Sequence, residues 1–115
     1  MVDDYHDLAD SLALMLRALG ADARVAYDGK SAIQCATEFR PDLMFVDLGL
    51  PGLTGLEVAR AIRAAPDLSA THLVAVSGWN HDEARRQSSE AGFQEYVVKP
   101  LALETVQELL RARRA

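Results

Sequence analysis

The sequence predicts an α/β fold, with a five-stranded parallel sheet covered by helices on both faces. Residues 43–46 (Leu-Met-Phe-Val) form a short, uninterrupted apolar run between breakers, as a strand buried on both faces does. Residues 72–77 repeat that pattern. Between such runs lie stretches with apolar residues at helical spacing, in units too short for extra elements, which implies right-handed crossovers within one sheet.

The elements follow in order. Only Met1 and Val2 precede the acidic pair Asp3-Asp4, so a first strand here is very short. Leu8, Leu12, Met15, Leu16 and Leu19 mark the first helix, which Gly20 stops. Residues 23–27 read as the second strand and Asp28-Gly29 as a turn. Residues 31–39 read as the second helix, with Ile33, Ala36 and Phe39 inward. The third strand ends at Asp47, before a loop holding Gly49, Pro51, Gly52 and Gly55. Residues 56–65 form the third helix, with Val58, Ala59 and Ile62 on one face and Pro66 beyond its end. The helix at 81–91 has little apolar surface beyond Ala84 and Ala91 and is therefore weakly anchored; Gly92 closes it. Tyr96, Val97 and Val98 make the fifth strand and Lys99-Pro100 breaks it. Leu103, Val106, Leu109 and Leu110 give the inward stripe of a final helix.

Composition narrows the function. A chain of 115 residues forms one domain (1–115) with a real core and no need of staples. Half of it is hydrophobic and a quarter charged, as in a globular protein. The net charge of -5 argues against direct nucleic-acid binding, which needs clustered Lys and Arg. Arg111, Arg113 and Arg114 read as a solvated helix end that complements the dipole. The single Cys35 reads as packing and, lacking a disulfide partner, agrees with a cytoplasmic location. No stretch approaches the roughly 18 apolar residues of a membrane span. His6 and His81 have no Cys or His at zinc spacing, and P-loop and dinucleotide fingerprints are absent.

In a parallel sheet the carboxyl ends of all strands share one edge, where open α/β folds place their ligand crevices. Here those ends carry Asp3, Asp4, Asp47, Ser77 and Lys99. Each has a bland reading: Asp3 and Asp4 as helix-start acids, Asp47 as a loop cap, Ser77 as a cap and Lys99 as a surface amine. Together they match one chemistry. Three converging carboxylates repel one another unless a hard cation binds, and oxygen-only ligands suit Mg²⁺. A phosphoryl group delivered there meets a carboxylate nucleophile, with the ion, Lys99 and the Ser77 hydroxyl to balance its charge.

These motifs resemble the receiver domains of two-component response regulators and hybrid histidine kinases. The resemblance covers the whole chain through Val2-Asp3-Asp4, the run from Val46 to Gly55 around Asp47, Val76-Ser77-Gly78, and Tyr96-Val97-Val98-Lys99-Pro100. It implies a flavodoxin-like sheet of order 2-1-3-4-5 and phosphorelay signalling. Asp47 would accept a phosphoryl group from a sensor histidine kinase or histidine phosphotransfer protein. Mg²⁺ would be held by Asp4, Asp47 and the Gly49 carbonyl, and by Asp3 through water. Lys99 would contact the phosphoryl group, Ser77 would be drawn towards it, Tyr96 would turn inward, and the Lys99-Pro100 peptide would be cis. The polar fourth helix and the Tyr96 strand would then present a changed surface to an output protein or domain.

Two departures stand out. The family's first strand has more apolar residues before the acidic pair, so the expectation is that residues or a domain are missing upstream. Gly49 and Trp79, each two positions beyond a site residue, would influence phosphoryl lifetime, and Trp79 would equally serve as an exposed partner anchor. Two other functions stay open: a degenerate receiver acting as an interaction module, and a phosphatase, against which the lack of an acid at position 49 counts. Homodimer formation through the fourth and fifth helices has no recognisable apolar patch behind it.

Overall fold

The computed structural model describes residues 1–50, 52–78 and 82–114, without the side chains of 113 and 114. The expectations for Pro51, Trp79 and His81, and for the side chains of Arg113 and Arg114, lie outside the described residues. Among the described residues there are five helices: α1 (His6–Ala18), α2 (Gly29–Phe39), α3 (Gly55–Ala64), α4 (Asp82–Ala91) and α5 (Leu103–Arg114). A 3-10 turn spans Pro66–Leu68. Three strands pair in parallel in the order β1 (Leu43–Asp47), β2 (His72–Ser77), β3 (Glu95–Val98). The register sets Asp47 opposite Val76 and Ser77 opposite Val98, so the polar strand ends lie along one edge.

The first two expected strands are reduced to isolated bridges at Val2 and Ala26. Val2 pairs in parallel with both Val46 and Ala26, which completes the spatial order 2-1-3-4-5. The expected strand at 23–27 therefore exists only at Ala26. The reason lies in its partner: Met1 O accepts from Ala26 N (3.0 Å) and Asp3 N donates to Ala26 O (3.1 Å). The last bond of that ladder runs from the Met1 amine to Arg24 O (3.0 Å), where the partner segment begins. Asp28 caps α2 by accepting from Ser31 N (2.7 Å), which moves the helix start to Gly29, two residues before the expected one.

Alternate residues of β1 and β2 feed two apolar layers. Met44, Val46, Leu73 and Ala75 face α2, α3 and the end of α4, packing on Ala32, Ala36, Val58 and Ile62. Phe45, Val74 and Val76 face α1 and α5, packing on Leu12, Ala13, Leu16 and Val106. Helix α4 buries only Ser88 and Ala91, as its polar sequence predicts. Two inward assignments are corrected. Leu103 at the start of α5 is 43% exposed. Phe39 is half-buried beneath the Arg24 guanidinium, 4.6 Å from the ring centroid. Arg63 at the end of α3 joins three elements through bonds to the Gly92 and Thr71 carbonyls (3.0 and 2.9 Å) and to Gln94 Oε1.

At the amino end of the sheet, a cavity of about 460 Å³ lies between the 21–26 segment and β1, lined by Met1, Ala23, Cys35 and Leu43 among others. It occupies the place where a longer central strand would run. A variant with three β-branched apolar residues added ahead of Met1 is expected to melt at least about 4 °C higher, since it fills apolar volume and adds ladder bonds. Thermal unfolding followed by circular dichroism checks this.

Candidate functional site

The site is built where β1, β2, β3 and the Val2 segment end together. Asp47 closes β1, and its N–H donates to Val2 O (2.9 Å), which locks the first strand to the third beside the acidic groups. Asp47 Oδ1 accepts from the Gly49 N–H (2.9 Å), so the loop turns back on its own carboxylate. A side chain at Gly55 would put its Cβ 2.5 Å from the Asp47 carbonyl oxygen, so only glycine lets α3 begin this close to β1. Thr54 and Glu57 form a capping box that holds that helix start.

Asp3 and Asp4 part company. Asp3 is fully buried and accepts from the Tyr5 N–H (3.1 Å), whereas Asp4 is exposed. Lys99 Nζ bridges Asp3 Oδ2 and Asp47 Oδ2, both at 3.1 Å, and the Lys99 N–H donates to Ser77 O (2.8 Å). Ser77 is buried at the end of β2, and the Lys99–Pro100 peptide is cis, as the resemblance implies. Tyr96 is half-buried on β3, and Gly49 is exposed at the mouth.

Charge proximity separates the two buried carboxylates. Burial works against ionising Asp3, but the Tyr5 N–H and the Lys99 ammonium hold it below the usual carboxylate range. Burial raises Asp47, and the Asp3 carboxylate adds to this against the pull of the Gly49 N–H and Lys99. Lys99 is also partly desolvated, which opposes its charge, yet its two carboxylates hold it above the ordinary lysine value.

Asp3, Asp4 and Asp47 can each offer an oxygen within 4.8 Å of the others. An all-oxygen, carboxylate-rich set fits a hard divalent cation. The structure thus brings together Asp3, Asp4, Asp47 and Lys99 at one point, with Ser77 on the adjacent strand end. Two features escaped the sequence reading: the Arg85 guanidinium, 4.6 Å from the Tyr96 ring centroid, and the close approach at Gly55. Only the glycine beyond Thr54 offered a local signal.

Residues 1–111 match the response regulator receiver domain. The chain is a member of that family. Its receiver is 35% identical over 113 residues to the DNA-binding response regulator MtrA of Mycolicibacterium smegmatis, covering 98% of this chain and 48% of MtrA. The chain thus spans about half the length of such relatives. Among solved structures, chemotaxis protein CheY4 of Vibrio cholerae superimposes with a TM-score of 0.91 at 25% identity, over 96% of this chain and 92% of that one. The receiver domain of the sensor histidine kinase PA1611 of Pseudomonas aeruginosa, described with a magnesium ion coordinated in its active-site cleft, gives 0.87 at 28% identity, over 96% and 91%. The receiver accordingly belongs to phosphorelay signalling and not to a classical enzyme family. Among the described residues no helix is long and apolar enough to cross a membrane.

The raised value of Lys99 means that its contribution to stability is complete below the ordinary lysine pKa and fades only as pH rises through the higher folded one. Lys99→Met is therefore expected to lower stability at pH 7 by roughly 2 kcal/mol, because it leaves two largely buried carboxylates facing each other. Urea unfolding of parent and variant at pH 7 measures it.

Proposed function

We propose that this receiver, as a single domain over residues 1–115, accepts a phosphoryl group on Asp47 and switches conformation to control an output partner. The donor would be a phosphohistidine of a sensor histidine kinase or histidine phosphotransfer protein in the cytoplasm. An Asp47 oxygen attacks phosphorus as the P–N bond breaks; the electron pair leaves with the imidazole, which takes a proton from water. Lys99 holds one side of the Asp47 carboxylate and can follow the transferred oxygens, while Ser77 supplies a hydroxyl from the neighbouring strand end. Asp4, Asp47 and the Gly49 carbonyl would hold Mg²⁺, with Asp3 acting through water. When bound, the ion offsets the charge on the phosphoryl oxygens. The convergence of Asp3, Asp4, Asp47 and Lys99 carries this reading.

Phosphorylation would favour an arrangement in which Ser77 and Lys99 turn to the new oxygens and Tyr96 moves inward, altering the face of α4 and β3. That face would meet the output protein or domain, in this or another chain. The net charge of -5 supports a protein partner over nucleic acid.

Incubation with Mg²⁺ and acetyl phosphate is expected to add one phosphoryl group by intact mass, absent from Asp47→Asn and from metal-free samples. A folded parent that gains no adduct under any condition would overturn the assignment in favour of an interaction module. Repeated release of phosphate from small esters would instead mark a phosphatase.

Protons compete with the cation. Because the folded pKa of Asp47 is raised, ionising it costs the metal-free domain stability as pH rises through that value, and a cation recovers this cost. Mg²⁺ is thus expected to raise the melting temperature more at pH 8 than near pH 4, close to the ordinary carboxylate value and below the raised one. Equal shifts at the two values would contradict a site at Asp47.

A further inference from the structure

Two adjacent arginines on α4 are used differently. Arg86 lies along the helix surface, bonded to Glu83 and Glu90. Arg85 reaches off the helix to Tyr96 of β3, its guanidinium carbon 4.6 Å from the ring centroid. The ring packs against the apolar layer that contains Ile62, Ala91 and Phe93. Tyr96 is thus held between the core and a cation from a helix that buries only Ser88 and Ala91. The cation–π contact is one of the ties between α4 and β3.

The same short segment continues to the site. From Tyr96 the chain runs through Val97 and Val98 to Lys99, whose N–H is bonded to Ser77 O and whose ammonium bridges Asp3 and Asp47. Holding the ring therefore also favours the arrangement in which Lys99 is engaged by the two carboxylates. A contact made in one arrangement and lost in another biases the equilibrium by its own free energy.

We propose that Arg85 is a positioning residue that latches Tyr96 and so sets how readily the domain takes up a phosphoryl group. This rests on the reading of Asp47 as acceptor and Tyr96 as a moving group. The latch opposes the phosphoryl-bearing arrangement, and losing it makes that arrangement easier to reach, by about two- to five-fold for a cation–π contact at a partly exposed position.

The test is a double-mutant cycle read by the rate of phosphoryl uptake from acetyl phosphate with Mg²⁺, using parent, Arg85→Met, Arg85→Lys, Tyr96→Leu and the Arg85→Met/Tyr96→Leu pair. Arg85→Met is expected to load about two- to five-fold faster, Arg85→Lys to stay near the parent, and Arg85→Met to add nothing once Tyr96 is leucine. The latch is overturned if Arg85→Met is unchanged or slower, if Arg85→Lys matches it, or if the acceleration persists without the ring. A parent that takes up no phosphoryl group overturns the acceptor reading itself, a result distinct from every outcome of the cycle. Melting temperatures close to the parent's show that the variants are folded.

Discussion

The structure depends on one ammonium held between two carboxylates. Asp3 is fully buried and Asp47 nearly so, and without a cation between them their charges would repel through a poorly solvated region. Lys99 meets both at 3.1 Å, and its segment is pinned by the backbone bond to Ser77. The three groups come from three strand ends. They can meet only because every strand runs the same way and the Val2 segment lies beside β1. Parallel topology is thus a requirement of the electrostatics at this edge as well as a consequence of the helical crossovers.

The acidic edge is exacting about backbone and forgiving about side chains farther out. Gly55 admits α3 against the Asp47 carbonyl, and Gly29 does the same for α2 against Leu53, whose carbonyl oxygen would lie 2.6 Å from an added Cβ. The loop that carries Gly49 is therefore held between two helix starts, each with a capping side chain, Asp28 and Thr54. At the opposite edge the central strand contributes little, and a cavity lies between the 21–26 segment and β1.

Much of this was legible. Apolar runs identified β1, β2 and β3, and the polar residue closing each run pointed to Asp47, Ser77 and Lys99 as neighbours on one edge. The second strand was legible as a pattern but forms only at Ala26, because hydrogen bonding in a sheet needs a partner of matching length and Met1 to Asp3 is short. Leu103 fitted the helical stripe yet stands 43% exposed, since periodicity names a face without saying how far its neighbours extend. The contact of Arg85 with Tyr96 left no local mark, because it joins a helix and a strand through a loop.

The sequence by itself determined the α/β class, the order of helices and strands, and which polar residues stand at strand ends. These follow from periodicity and capping, which act over a few neighbouring residues. Only the tertiary structure decided that Asp3 is buried and Asp4 exposed, that Asp47 is the harder of the buried acids to ionise, and that Arg85 lies over Tyr96. Burial, protonation and long-range contacts depend on what distant segments bring within a few ångströms, and no local pattern in the chain specifies that.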